Sequence, residues 1–408
     1  MLNIVTRRDF LKTAAVFSSI GLAPAFLTRA AEGATPAVEG FKDDRVLVVV
    51  QLGGGNDGLN TVVPQSNDTY YRLRPQLGLK KDRVLRLTDD LAFNNKLAGL
   101  MHLYDQGQVA VIQSVGYPNP DRSHFRSMEI WHTASGADEF YGTGWIGRYF
   151  DNCCSGSARP QAGVAVGNER PQAFEGERGF GVAFTDPMRF GWQPGKATDT
   201  KENFEKLNHQ PAAPGSTLDF LRHTTSSAIM SSREVHEAAE RAGLSGGGAT
   251  GRGKDPLQTV AALLRGGLAT RIYYVATSGF DTHANQLGTQ DSLLERFGDS
   301  MRRFQETLVA DGNAERVTTL VFSEFGRRVA QNASGGTDHG TAAPMFLIGP
   351  HVKGGVHGPL PNLDDLDEGD LKYAIDFRGV YATVLGSWLG VDHEPILTRR
   401  FDTLPLIA

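Results

Sequence analysis

Five short runs rich in apolar and β-branched residues punctuate the chain: Val46–Leu52, Val109–Val115, Ile272–Thr277, Val317–Phe322 and Met345–Ile348. Runs this short, with little polar alternation, are what strands covered on both faces look like, so each is read as a buried parallel strand. Between them the hydrophobic period lengthens to that of a helix. Leu294, Phe297, Met301, Phe304 and Leu308 recur at spacings of three and four, and Gly312 closes that helix. Asp255-Pro256 supplies an N-cap and a first-turn proline for a helix through Leu257, Val260, Ala261 and Leu264. Phe377, Val380, Tyr381, Val384, Leu385 and Trp388 form a last amphipathic helix. Strand alternating with helix predicts an α/β fold, a three-layer α/β/α sandwich around a mostly parallel central sheet.

Two stretches stand outside this pattern. Residues 151–215 carry Gly, Pro, Asn and Arg without lasting periodicity and predict a loop-rich insertion or cap, whereas 243–254 is a Gly-rich linker. The N-terminus is different again. Thr6-Arg7-Arg8-Asp9-Phe10-Leu11-Lys12 precedes a modestly apolar run to Leu27 and small residues at Ala30-Ala31. That order predicts a twin-arginine signal peptide over 1–31, read by the twin-arginine export machinery, with a periplasmic or secreted destination. Pro24 breaks the run, which is too short for a stable membrane span. The main domain is expected over 40–408, about 375 residues after cleavage, large enough for one domain with insertions or for two lobes. Removing a net +3 from the formal charge of −5 leaves about −8, and no basic stripe points to nucleic acid. The only two cysteines, Cys153 and Cys154, are adjacent; at ~3.8 Å between Cα atoms a bridge joining them would be strained, so the fold owes little to disulfides.

Ligands in open α/β sheets gather at the carboxyl ends of the strands. Gly53-Gly54-Gly55-Asn56-Asp57-Gly58 follows the first run and Asp121-Arg122-Ser123-His124 the second. Gly279-Phe280-Asp281-Thr282-His283 follows the third, Ser323-Glu324-Phe325-Gly326-Arg327 the fourth, and Thr337-Asp338-His339-Gly340 precedes the fifth. Carboxylates with imidazoles suit zinc first, then manganese; carboxylates alone would favour magnesium or calcium. Asp281 and His283, two apart, converge only on extended or looped backbone, because residues at that spacing face away from each other on a helix. The glycine-rich segment lacks both the Lys-Ser/Thr of a phosphate-binding loop and the GxGxxG spacing, so it is not read as a nucleotide cradle. Each piece also has a plainer reading: a turn at Asn56-Asp57, an N-cap at Ser123, an ion pair of Glu324 with Arg327 or Arg328, a surface loop at His357. His102 and His132 sit in helical patterns and are read as structural.

Thr-Arg-Arg-Asp-Phe-Leu-Lys, Gln-Leu-Gly-Gly-Gly-Asn-Asp-Gly-Leu-Asn-Thr, Arg-Ser-His-Phe, Gly-Phe-Asp-Thr-His, Ser-Glu-Phe-Gly-Arg and Gly-Thr-Asp-His-Gly together resemble a bacterial exported family, domain-of-unknown-function family 1501. The resemblance covers nearly all of the chain after the signal. It implies the three-layer core of the alkaline phosphatase and sulfatase superfamily, usually with a two-metal site. On that pattern Asp57 is the first metal carboxylate, Ser123 the nucleophile at a helix start, Asp281 and His283 the next ligand pair, and His339 the last histidine. The superfamily's Asp-His at a strand end falls on Glu324-Phe325, where Phe325 cannot bind metal. An alternative register uses Asp338-His339 and His357. The Cys-x-Pro-x-Arg signature of sulfatases is absent, which argues against a formylglycine nucleophile.

The expected function is therefore an exported metal-dependent hydrolase of phosphate or sulfate esters. Ser123 is its nucleophile, Asp57, Asp281, His283, Glu324, Asp338 and His339 form its divalent-metal set, and Asn56, Arg122 and Arg126 contact a small anionic substrate. A non-catalytic binding or scaffold protein on a hydrolase-like fold is the alternative, and a metal-bound oxidoreductase the third reading.

Overall fold

The computed structural model describes residues 43–153, 160–177, 181–191, 200, 203, 206, 216–244 and 255–408. The expected signal peptide, Cys154 and most of the glycine-rich linker lie outside them. The chain divides into two compact units, one of Asp43–Gly142 with Ile272–Ala408, the other running over Thr143–Arg271. Within the second unit, strands Gly163–Val166 and Val182–Phe184 pair in parallel, with Val164 opposite Val182. Its helix Pro256–Arg265 starts where the sequence predicts, Asp255 Oδ1 accepting the Leu257 N–H at 3.1 Å. The expected insertion around 151–215 falls in this unit, which extends beyond it at both ends.

The first unit holds the main sheet. Its strands are β1 (Val46–Gly53), β2 (Val109–Gly116), β3 (Ile272–Ser278), β4 (Val317–Phe322), β5 (Ala343–Ile348), β6 (Gly355–His357) and β7 (Ile375–Asp376), in the order β6-β2-β5-β4-β1-β3, with β7 also paired to β2. All five predicted runs are strands. β1 pairs in parallel with β3 and β4, as β2 does with β6 and β7. The expectation of a parallel Met345–Ile348 is corrected, because β5 is antiparallel to both neighbours. A parallel return needs a crossover, usually a helix, and residues 323–342 contain none, so the chain simply turns back. This reversal brings the loop before β5 to the same edge as the loops after β1–β4.

Register and ring contacts define the layers. Phe322 lies opposite Gln51, whereas Val321 lies opposite Val50 and Phe346, so Phe322 and Phe346 face opposite sides of the sheet. Trp131, on helix α2 (His124–Thr133, after α1 at Ala98–Asp105), stacks on Phe322 at 5.0 Å and on Phe377 at 4.2 Å. Phe377 opens helix α4 (Phe377–Thr383), so α2 and α4 cover one face. On the other face Phe93 lies 6.3 Å from Phe346 and 5.9 Å from Tyr104 of α1. Helix α3 (Gln286–Ala310) packs on α1 so closely that a Cβ on Gly99 would stand 2.4 Å from the Gly298 carbonyl oxygen. The arrangement is the expected three-layer sandwich. Among the described residues no helix is long and apolar enough to cross a membrane.

His132 is structural, as read. It is buried on α2 and its Nε2 lies 3.0 Å from the Tyr274 hydroxyl, which donates to Gln51. Burial pushes its pKa down to about 4. The unfolded imidazole takes a proton near pH 6.5 and the folded one only near 4, so stability is complete above pH 6.5 and falls as pH drops towards 4. The expected loss across that window is about 3 kcal/mol, and the His132→Gln variant should lose correspondingly less. Urea unfolding between pH 7.5 and 4.5 reads this slope; equal slopes in the two proteins would contradict it.

Candidate metal centre

The loop after β1 is Gly54-Gly55, both at positive φ (117° and 73°). A Cβ on Gly54 would stand 2.4 Å from the Asp281 backbone nitrogen, and one on Gly55 2.1 Å from the Phe325 ring. Glycine is required twice over, by dihedral and by contact, and this close approach brings three strand-end loops together. Arg327 locks them. Its guanidinium is fully buried and donates to Gly55 O at 2.6 Å, Thr337 O at 2.9 Å, Phe280 O at 3.1 Å and also to Gly54 O. The same group donates to Asp281 Oδ1 at 2.6 Å.

Three imidazoles surround Asp281. His124, the first residue of α2, has Nδ1 2.9 Å from Glu324 Oε1 and Nε2 3.4 Å from Asp281 Oδ2. His339 has Nδ1 2.7 Å from the Arg122 carbonyl oxygen and Nε2 3.1 Å from Asp281 Oδ1. His283 has Nδ1 3.3 Å from Asp338 Oδ1, and Nε2 3.0 Å from Asp281 Oδ1 and 2.9 Å from His339 Nε2. A carbonyl or ionised carboxylate can only accept, so each Nδ1 carries the proton. In the neutral rings each Nε2 then presents a lone pair towards Asp281.

Convergent lone pairs repel unless something electrophilic offsets them; Arg327 does so in part, at Asp281 Oδ1 and with Nη1 3.4 Å from His283 Nε2, and a divalent ion would do the rest. A tetrahedral zinc ion with bonds of ~2.0–2.1 Å sets its ligand atoms ~3.3–3.5 Å apart. The spacings of 2.9–3.4 Å around Asp281 need only small adjustments to meet that geometry. Single ligand atoms of His124, Asp281 and His339 lie within 4.8 Å of one another. Burial alone would raise the Asp281 pKa, but the hydrogen bond and charge of Arg327 hold it down at about 2, ready to ligate at neutral pH. Asp338 is also depressed, first by the Asn332 amide and then by His283 against the opposing effect of burial.

The structure therefore brings together Asp281, His283, Glu324, Asp338 and His339, with a division of labour that the sequence did not reveal. Glu324 and Asp338 hold histidine Nδ1 atoms rather than face the centre, the usual way a carboxylate orients an imidazole ligand. Glu324 also accepts the Gly54 N–H at 2.8 Å, and it is Asp281 that pairs with Arg327. Ser123 occupies the N-cap position of α2, exposed and next to His124. Its N–H donates to Asp121 Oδ1 at 2.6 Å, but its hydroxyl makes no cap bond, contrary to the simple capping role.

Four expected residues are placed elsewhere. Asp57 is buried with its carboxylate bound to Arg74 at 2.6 Å and to Gln286, and it caps the Leu59 N–H at 3.2 Å. Asn56 is buried, its side chain spent on Thr61 at 2.9 Å and Gln290 at 3.4 Å. Arg126 is used by Glu129, by the carbonyls of Ala137 and Glu139, and by the Phe140 ring at 3.9 Å. His357 lies in β6 with Nε2 bonded to Lys353 O at 2.7 Å, away from this cluster, which removes the alternative register. Arg122 keeps a partly exposed guanidinium 2.5 Å from Asp370. His124 is the residue that sequence reasoning passed over. It stood in the Arg122-Ser123-His124 motif, but attention to the hydroxyl hid the imidazole. Phe325 fills its expected position with a ring, 4.9 Å from His124 and 4.6 Å from His339.

Residues 44–404 match the family model described as "Protein of unknown function (DUF1501)". No curated protein matches the chain. Similar solved structures include the lipoteichoic acid synthase LtaP from Listeria monocytogenes, at 10% identity and TM-score 0.40, covering 91% of this chain and 80% of that one. The PsFucS1 sulfatase from Pseudoalteromonas sp. gives 10%, 0.39, 89% and 71%. A protein in the alkaline phosphatase superfamily from Vibrio parahaemolyticus gives 12%, 0.38, 97% and 78%. These likenesses are too distant to assign a role to any residue.

Proposed function

The chain belongs to the DUF1501 family, a family without an assigned function, and from that starting point we propose that it is an exported, metal-dependent hydrolase of phosphate or sulfate esters. One observation carries the proposal: three histidines whose Nδ1 atoms are held by oxygen acceptors and whose Nε2 atoms gather at one carboxylate. His124, His339 and Asp281 would hold the ion, with His283 within reach of the same Asp281 oxygen. Nitrogen-rich ligation with one carboxylate suits zinc, ahead of manganese, and magnesium or calcium would want more oxygen. Bound there, a divalent ion supplies Lewis acidity that neutralises charge on the transferring group and eases ionisation of a nearby hydroxyl.

The chain's own residues would do the rest. Ser123 is exposed, is not used as a cap, and sits at the positive end of a ten-residue helix beside His124, where the helix dipole favours an alkoxide. Its oxygen would bond to phosphorus or sulfur as the bond to the ester oxygen breaks, the alcohol leaving with the proton that Ser123 gives up, and water would then release phosphate or sulfate and restore the hydroxyl. Arg327 keeps Asp281 ionised and in place. Export rests on Arg7-Arg8 ahead of Phe10-Leu11-Lys12; replacing both arginines with lysine should leave the precursor in the cytoplasm, and unchanged secretion would overturn that part.

The test is a screen of aryl phosphate and aryl sulfate esters with zinc, manganese, magnesium and calcium. Turnover is expected, and Ser123→Ala should lower it by orders of magnitude with the metal content unchanged. A second reading, an exported binding protein, is favoured by one feature: Arg327 already neutralises Asp281 without any ion. Fully metallated protein that turns over none of these esters would decide for it.

A further inference from the structure

His339 differs from the other two histidines of the cluster in what holds its Nδ1. The acceptors for His124 and His283 are the carboxylates of Glu324 and Asp338, whereas His339 donates to a main-chain group, the Arg122 carbonyl oxygen, at 2.7 Å. A backbone acceptor is only as fixed as the segment that carries it. Residues 117–123 form neither helix nor strand, so side chains have to set the position of this carbonyl. Two do so locally: the Asp121 N–H donates to the Tyr117 hydroxyl at 3.1 Å, and the Ser123 N–H to Asp121 Oδ1 at 2.6 Å. The tie to a distant part of the chain is Arg122 itself, whose guanidinium lies 2.5 Å from Asp370 Oδ2.

Asp370 sits on a firm support. It belongs to a hairpin whose strands, Leu366–Asp367 and Asp370–Leu371, are joined by Glu368-Gly369. Both turn residues have positive φ (49° and 90°), as in the two-residue connection whose twist matches that of the strands. Leu371 is buried in a core cluster with Leu59, Tyr70 and Val329, and Leu366 packs against it. The Glu368 carbonyl accepts from Arg328 Nη1 at 2.7 Å and the Leu371 carbonyl from Thr341 Oγ1 at 2.6 Å, so the hairpin grips the chain on either side of Asp338-His339. Asp370 is 1% exposed. Burial pushes its pKa up and the charges of Arg122 and Arg328 pull it back; a carboxylate so placed is tolerated only while it is paired.

We propose that Asp370 and Arg122 are positioning residues of the candidate metal centre. The hairpin fixes the Asp370 carboxylate, the carboxylate fixes Arg122, and the Arg122 carbonyl aims the His339 ring so that Nε2 meets the ion. In this role Arg122 acts through its backbone, and its guanidinium is committed to Asp370. The effect on an ion rests on the metal-binding reading; the effect on the ring does not.

The test compares the parent protein with Asp370→Asn, Arg122→Gln and the double variant, with histidine labelled with nitrogen-15. In metal-free parent protein the His339 Nδ1 proton should exchange slowly enough to be seen by NMR. It should vanish from both single variants, while the His124 Nδ1 proton, held by Glu324, persists and reports an intact fold. In a zinc competition with a chelator each single variant should bind about tenfold more weakly, the lower end for loss of an outer partner of a ligand. The double variant should bind no more weakly than either, because the two side chains act in series. A His339 proton absent from the parent, or retained in both single variants, overturns the proposal. So does loss of the His124 proton alongside it in both, or a double variant that multiplies the two losses. Arg122→Gln that only raised the KM for esters, with proton and ion kept, would make Arg122 a substrate contact instead. Parent protein that binds no zinc yet shows the proton and its loss would sink the metal reading and leave the positioning role standing. Zinc held equally by all four proteins, with the proton unmoved, would do the reverse.

Discussion

Asp57→Ala is expected to lower the free energy of unfolding by about 3–5 kcal/mol, because it strands a buried guanidinium. Both side chains of the Asp57–Arg74 pair are fully buried, 2.6 Å apart, and Asp57 also serves Gln286 and the Leu59 N–H. Arg74 in turn donates to Asn60 at 2.8 Å and to the Val329 carbonyl at 2.8 Å, so the pair ties the loop after β1 to the segment beyond β4. Urea denaturation at neutral pH measures the cost. Metal content of the folded variant should equal that of the parent protein. If Asp57→Ala instead lost the ion at unchanged stability, Asp57 would be a ligand and its pairing with Arg74 incidental.

The second large effect separates ligands from the groups that orient them. His339→Ala should abolish measurable binding of the ion in a competition with a chelator, since it removes one donor from the centre of the cluster. Glu324→Gln should be milder, about 10–100-fold in metal affinity, because Glu324 holds His124 by Nδ1 and does not face Asp281. The reverse order, with Glu324→Gln the more damaging, would mean that the buried carboxylate is itself a ligand.

Much of the fold was legible in the sequence because buried strands declare themselves by composition. The predicted Val317–Phe322 is β4 residue for residue, and Ile272–Thr277 is one residue short of β3. The direction of β5 was not legible, since hydrophobic content carries no polarity; only the missing crossover helix in 323–342 could have signalled it. At the site, residues next to strand ends were found and their roles were not. Asp57 and Asp281 each follow a strand within a few residues, and nothing local says that one meets a buried arginine 17 positions on while the other meets three histidines. Arg126 was similarly opaque, because its partners are backbone carbonyls that the sequence does not advertise. Asp281-x-His283 was readable for a better reason. Its spacing excluded a helix, and the pair lies in the loop between β3 and α3.

The histidine cluster should hold a metal ion. X-ray absorption spectroscopy on protein reconstituted with zinc, with the metal quantified by mass spectrometry, tests it most directly. One tightly held ion per chain is expected, bound by two or three imidazole nitrogens and a carboxylate oxygen at ~2.0–2.2 Å, and gone in the His124→Ala/His339→Ala double variant. Protein that takes up no ion, or an ion retained with an unchanged spectrum in that double variant, would contradict it.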